Sequence, residues 1–326
     1  PRYGVISIIT TTSQSGLLSK YLRNFGNVFV MDMNTKDDYV SILGKIGNVY
    51  PASYDGRGLF KKEIAYEFQT ALVYDNDNLV NYVKAAAKKL ADTLIYKPKK
   101  VPVLPKKLLI DDLLPYVNLL EDVPIGMDRN TIEIARYNFK NYKGNLICGN
   151  EVGDLKSFAQ NLCILLRNVA SNGVIVFDGE GKLDKNSIKP NGFSTGDFEN
   201  YLKQVEQYLD SSIVNSSFHI TMLFYSFDKI LSSMNKASFD AFVKKYATCS
   251  NVNYIFMDSA FALKKYAFES WYMQTVMSNS GIWIGPNLMD QGVIKMVDLD
   301  RKYREKITCD YAWIVKNGSA NLIKVV

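Results

Sequence analysis

Histidine is almost absent: His219 is the only one in 326 residues. A lone imidazole leaves little room for a Ser-His-Asp constellation and none for a histidine-rich metal site. The four cysteines, at 148, 163, 249 and 309, show no C-x-x-C spacing, so they read as reduced, buried thiols of a cytosolic protein. No apolar run reaches the roughly 18–20 residues of a membrane span, and no signal peptide opens the chain. Basic character is mild, +6 in net charge, and spread over helix faces apart from one cluster at Lys97–Lys107. Such a cluster is more often a solvated linker than a nucleic-acid surface.

What is present is a globular composition, 47% hydrophobic and 22% charged, with 21 tyrosines and 17 phenylalanines to fill cores and interaction surfaces. The length suits one large or two ordinary domains. Pro1 leads directly into the apolar run Val5–Thr11, which suggests a piece of a longer protein.

That run is β-branched at every position but Ser7 and predicts a buried parallel strand. A helix over Gly16–Phe25, a strand at Val28–Met33, a helix over Lys36–Leu43, a turn at Tyr54–Gly58 and a strand at Ala65–Tyr74 follow. Asp77–Ile95 has the 3.6 period of a helix with Leu79, Val83, Ala86, Ala87 and Leu90 inward. Three prolines then fall within Tyr96–Lys107, an extended boundary between modules. A short helix is expected at Asp111–Leu120. From Gly144 strands alternate with helices, as a doubly wound α/β sheet requires. The strands are Asn145–Cys148, Gly173–Asp178, His219–Ser226, Val252–Asp258 and Gly281–Gly285. The helices are Ser157–Val169, Asp197–Leu209, Ala237–Ala247 and Phe261–Met277. A hairpin, Asp310–Lys316 with Asn321–Val326, ends the sequence.

The order strand, helix, strand, turn, strand recurs after about 250 residues. The first copy runs through Val5–Thr11, Val28–Met33 and Ala65–Tyr74. The second runs through Val252–Asp258, Gly281–Gly285 and the hairpin.

The chemistry concentrates at Asn145–Ser157, where an apolar strand, a loop with Gly149 and Gly153, a Lys156-Ser157 pair and an apolar-striped helix follow one another. A phosphate-binding loop is spelled G-x-x-x-x-G-K-[ST], with the glycine before the lysine leaving room for the backbone N–H cradle. Here Leu155 precedes Lys156, and Asn150 occupies the first glycine's position. Either nucleotide chemistry has weakened on this scaffold, or the segment is a strand–turn–helix that never held a nucleotide. Lys156 and Ser157 can equally contact a phosphate or stand in water.

Several motifs together resemble one family. Ile8–Thr12, Asn24-Phe25-Gly26, Asp37-Asp38-Tyr39, Tyr54–Leu59 and Glu67–Ala71 look like the end of an FtsK/SpoIIIE-type ATPase module. Val123–Asp128 and the altered loop look like the opening of the next. Tandem modules joined by Pro102-Val103-Leu104-Pro105 resemble the EssC/EccC ATPases of type VII secretion systems, and the resemblance covers essentially the whole chain.

The resemblance implies a RecA-like P-loop NTPase fold, α/β with a mostly parallel central sheet flanked by helices. It divides the chain into 1–76, the C-terminal part of a preceding module; 77–107, a helix and linker; and 108–326, a C-terminal module.

Against the family pattern, Tyr225 and Ser226 fall where the metal-holding carboxylates belong, and Asp228 lies three residues beyond Tyr225. Arg57 is answered in the repeat by Asn317-Gly318-Ser319, and Thr10-Thr11 by Met257-Asp258. A module lacking those acids positions neither Mg²⁺ nor the attacking water. No catalytic or metal-binding residue is therefore expected. Any cofactor site would be a weak ATP and Mg²⁺ site at Gly149, Gly153, Lys156 and Ser157.

Asp178 reads as a strand-end turn residue and Glu180 and Asp184 as solvated charges. Trp271, Trp283 and the Phe261–Met277 helix offer either core or a peptide-binding surface.

The resemblance implies, as partners, secreted WXG100-type proteins or their signal peptides, other ATPase modules of the same chain, and a homo-hexamer in the full motor. Location would be the cytoplasmic portion of a membrane-anchored protein. An ATP-hydrolysing protein translocase is the alternative. A DNA translocase is disfavoured because no basic stripe is present.

Overall fold

The computed structural model describes residues 6–12, 21, 24–72, 78–94, 102–212 and 217–326. They divide into two compact units between Lys99 and Lys100, within the proline- and lysine-rich stretch.

In the first unit, strand β1 (Phe29–Val30), helix α1 (Lys36–Leu43), strands β2 (Arg57–Lys61) and β3 (Ala65–Gln69) and helix α2 (Leu79–Thr93) follow in order. The sheet is antiparallel, in the order β1-β2-β3. A capping box starts α1: Thr35 Oγ1 accepts from Asp38 N at 3.3 Å, and Asp38 Oδ2 accepts from Thr35 N at 3.1 Å. Tyr39 and Ile46 bury one sheet face with Val30, Leu59 and Ala65. The other face is a ladder of Phe29, Phe60, Tyr66 and Phe68, with Phe60 stacked on Tyr66 at 5.4 Å.

Three expectations for this unit change. Residues 6–12 form no strand, and Ile6 and Ile8 are exposed, because a β-branched run needs a neighbouring strand and none pairs with it among the described residues. Helix α2 forms, but Leu79, Val83 and Leu90 face outward and nothing on it is buried. An apolar stripe records what a helix can bury, and the described residues supply no element against it. Arg57 opens a strand, where a turn was expected, and pairs with Glu67 at 3.2 Å. The expected helix Gly16–Phe25 lies mostly outside the described residues.

The second unit begins with α3 (Ile110–Leu113), a single turn, because Pro115 has no N–H to continue the ladder and the chain goes on as 3-10 turns. Then come β4 (Val123–Asp128), β5 (Ile134–Tyr137), β6 (Gly144–Gly149), α4 (Lys156–Arg167), β7 (Asn172–Asp178), α5 (Lys185–Ile188) and β8 (Gly192–Ser194). Next are α6 (Phe198–Ser212), β9 (His219–Tyr225), α7 (Phe227–Ser232), α8 (Lys236–Lys245) and β10 (Val252–Ser259). Last come α9 (Ala260–Lys264), α10 (Ser270–Thr275), β11 (Gly281–Ile284), β12 (Tyr311–Lys316) and β13 (Ser319–Lys324).

One sheet joins ten strands in the order β5-β4-β13-β12-β11-β6-β10-β9-β7-β8. From β11 to β8 all neighbours are parallel; from β11 to β5 they are antiparallel. Apart from the short edge strand β8, the parallel strands are the continuous apolar runs, buried on both faces. One face packs Phe158, Leu162 and Leu166 of α4. The other packs an aromatic core of Phe224, Phe227, Phe239, Phe256 and Trp271. The architecture is the expected α/β fold with helices on both faces of a largely parallel sheet.

Strands β4 and β5 were not anticipated; no element was expected between Leu120 and Gly144. Gly126 sits where the chain must pass close to β13: a Cβ there would run into the Lys324 carbonyl. The expected helix Phe261–Met277 is two short helices, broken at Lys265–Glu269. Cys148 and Cys163 are buried, whereas Cys249 and Cys309 are half-buried; all four are free.

The repeat takes the form β1-β2-β3 and β11-β12-β13, each a strand, a long connection and a hairpin. On that match Arg57, heading β2, corresponds to Tyr311, heading β12. The Asn317-Gly318 turn answers the Lys62-Glu63 turn, not the arginine.

Candidate functional site: the loop after strand β6

Parallel strands β6, β10, β9 and β7 end side by side, and the β6–α4 loop crosses above them. In an open α/β sheet this carboxyl edge is where ligands bind. Gly149 ends β6, with space for a Cβ limited to 3.1 Å by the Ile284 carbonyl and by Leu155. Asn150 is tied across to β11's end, its Nδ2 donating to Pro286 O at 3.2 Å.

The chain then closes into a 3-10 turn, Val152–Leu155, with two amides paired within the loop. Asp154 N donates to Glu151 O at 3.2 Å, and Lys156 N donates to Gly153 O. A phosphate cradle needs such N–H groups free and convergent. Leu155 is fully buried, with φ −84° and ψ −13°, an ordinary helical conformation that makes no demand for glycine. Gly153 faces open space, and Lys156 and Ser157 are exposed on the first turn of α4. Lys156 is close enough to Asp184 to help hold that carboxyl below its usual range, after the hydrogen bonds from Ser187 and Asn186 N. The four expected cofactor residues therefore lie on one strand–loop–helix, and two amides of the loop, those of Asp154 and Lys156, are already paired.

Beneath the loop stands Tyr225, the last residue of β9. Its ring is fully buried, and its hydroxyl donates to Val152 O at 3.0 Å. Burial, joined by the charges of Asp178, Glu180 and Asp258, pushes the phenol up to about 12, so it remains a protonated donor.

The acids around it are engaged elsewhere. Asp178 accepts from Glu180 N, Gly181 N and Leu183 N at 3.0, 2.9 and 2.8 Å, the turn-capping role expected of it. Glu180 is held below its usual range by Lys182 and, against burial, by Lys229. Asp228 leans toward α9: its carboxylate accepts from Lys265 Nζ at 2.7 Å and Tyr266 OH at 2.6 Å. Burial pushes its carboxyl up, but those two donors outweigh burial and hold it low. Asp258, ending β10, is buried. Burial raises its carboxyl although Asp228 N and Ser259 N donate to it at 2.8 and 2.7 Å.

The described residues contain no group of three or more His, Cys, Asp or Glu side chains placed to hold a metal ion.

The aromatic residues separate sharply. Trp271 and Trp283 are core. Phe261 on α9 and Phe268 in the α9–α10 connection are 81% and 89% exposed, and Met273 and Met277 stand out beside them in sequence. Neither the Tyr225–Val152 contact nor this exposed set has a periodic signal that would have revealed it.

Neither a family model nor a curated protein matches the sequence. Solved structures do. EssC (ATPases 2 and 3) from Geobacillus thermodenitrificans superposes over 96% of this chain and 63% of its own, with a TM-score of 0.71 and 15% identity. The chain shares the fold of these EssC ATPase domains. The cytoplasmic domain of EssC matches over 89% of this chain and 62% of its own, with a TM-score of 0.60 and 15% identity. EccC from Thermomonospora curvata (ATPases 2 and 3), solved in complex with a signal sequence peptide, matches over 86% and 54%, with a TM-score of 0.52 and 13% identity. The chain spans about three fifths of the length of the EssC structures. Among the described residues no helix is long and apolar enough to cross a membrane.

Proposed function

We propose that this chain belongs to a type VII protein secretion motor, on the cytoplasmic side of a membrane-anchored assembly. In this reading the Lys100–Val326 unit retains an ATPase scaffold without turning over nucleotide, and serves substrate recognition and regulation of neighbouring ATPase modules. One observation carries the reading: Tyr225 stands where the family pattern has a metal-holding carboxylate, and its hydroxyl is bonded to Val152 O of the loop after β6, in which the Asp154 and Lys156 amides are already paired. With no acid at that position to hold Mg²⁺ and two of the loop amides already engaged, terms that dominate phosphoryl transfer are weakened.

A peptide surface depends on packing and survives the loss of metal chemistry. Exposed Phe261, Phe268, Met273 and Met277 supply apolar anchors of the kind a helical or extended secretion signal engages. EccC, whose fold this chain shares, was captured with such a peptide.

Calorimetry of the chain with ATP, with and without Mg²⁺, tests the first part: no heat is expected at millimolar nucleotide, and micromolar Mg²⁺-dependent binding would overturn it. Titration with C-terminal segments of WXG100-type proteins tests the second. Phe268→Ser is expected to weaken binding at least tenfold while leaving the melting temperature in place. Equal affinity in the variant would remove this surface from the proposal.

A further inference from the structure

We infer that Tyr225 is a latch: its hydroxyl, by holding the Val152 carbonyl, keeps the 150–155 loop in the closed form in which the Asp154 and Lys156 amides are paired. The inference concerns the same loop as the functional reading above, but the two fail separately.

The geometry supports a latch in three ways. Val152 O points inward to the end of β9, the opposite sense to a loop that turns its N–H groups toward an anion. The bond spans 73 residues of sequence and joins the loop to the middle of the sheet, so it cannot be replaced by a local turn. Ser226, directly after Tyr225, has φ +57°, a left-handed conformation that costs a non-glycine residue energy and is held by its surroundings. The strand end is thus fixed in a posture that keeps the phenol beneath the loop. Leu155 and Asn150 anchor the loop's other two corners, at Gly149 and at Pro286 O. The Tyr225 bond ties the turn's Val152 carbonyl to the end of β9.

The test is amide hydrogen exchange of the intact chain, comparing Tyr225→Phe with a matched control. Phenylalanine keeps the ring and its packing and removes one hydroxyl. Tyr254→Phe is the control, since the Tyr254 hydroxyl is buried without a partner. Removing one buried hydrogen bond is expected to speed exchange at Asp154 and Lys156 about fivefold or more. The β7 and β10 amides should keep their wild-type rates, and Tyr254→Phe should leave the loop unchanged.

Unchanged loop exchange in Tyr225→Phe would overturn the latch. So would an equal acceleration across β7, which marks loss of global stability. If wild-type protein binds ATP while Tyr225→Phe still loosens the loop selectively, the latch stands and the non-hydrolytic reading falls. If neither ATP binding nor selective loosening occurs, the reverse holds.

Discussion

Restoring the missing glycine should damage this protein without repairing it. Leu155→Gly would return the sequence before Lys156 to the pattern of a working phosphate loop. Leu155, however, is fully buried among Phe158, Leu162, Ile147 and Tyr225 in the α4-side core. Truncating a buried leucine to alanine costs about 2–5 kcal/mol through lost transfer energy and an unfilled cavity. Glycine at a helical position adds about 1 kcal/mol in backbone entropy. The sum, roughly 3–6 kcal/mol, is a large share of the 5–15 kcal/mol typical of a whole domain. With a urea slope of about 3 kcal/mol/M, the unfolding midpoint should fall by about 1–2 M. Nucleotide affinity should stay undetectable, because Leu155's backbone is already in an ordinary conformation and the amides of Asp154 and Lys156 stay paired. Urea unfolding followed by circular dichroism, with calorimetry on the same sample, gives both readouts. A midpoint within about 0.3 M of wild type, together with micromolar ATP binding, would refute the reasoning. Leu155 would then be an incidental obstruction and not a structural member of the loop.

Two further outcomes follow from the interior. Phe227 lies 5.0–5.9 Å from five aromatic rings, those of Phe224, Phe239, Phe256, Tyr266 and Trp271. Phe227→Ala should cost about 3–5 kcal/mol and lower the melting temperature by about 10 °C; a calorimetric scan showing a loss of 2 °C or less would contradict the packing. His219, the only histidine, is held below its ordinary range by burial and by Lys140, with Glu121 opposing. The unfolded chain therefore takes up a proton at pH values where the folded one does not. Stability should decline as pH falls through about 6.5, and His219→Gln should flatten that slope. Proton NMR of the single imidazole checks the direction: a midpoint above about 6.5 would reverse it.

The parallel strands other than the short edge strand β8 were legible because they are buried on both faces, and uninterrupted runs such as Val174–Phe177 leave little else to be. In the antiparallel half the β12–β13 hairpin was legible as well, but β4 and β5 were not. The place of Gly126 is set by Lys324 passing beside it, a contact across about 200 residues that no local pattern records. Helix α2 failed in the opposite sense: its period was right and its burial wrong, because amphipathicity describes one surface of a contact that needs two. At the loop, the departures at Asn150 and Leu155 were plain in the spelling. Tyr225 was already marked as standing in place of a carboxylate; what the spelling hid was that its hydroxyl reaches Val152. The arginine comparison failed for a related reason. Without strand pairing, nothing showed that Arg57 heads a strand and so corresponds to Tyr311.

The position of β13 sets a schedule for the newborn protein. This strand, Ser319–Lys324, lies between β12 and β4, so the unit's earliest hairpin waits for one of its latest segments. During synthesis β4 and β5 must leave the ribosome about 200 residues before their inner neighbour exists, and at 5–20 residues per second that gap lasts about 10–40 s. Throughout it, Val123–Asp128 offers an unpaired apolar edge to any other chain nearby. A nonsense codon before Ser319 would therefore do more than trim a tail. It would leave that edge permanently open, and such products should be cleared by chaperones and proteases or be lost to aggregation.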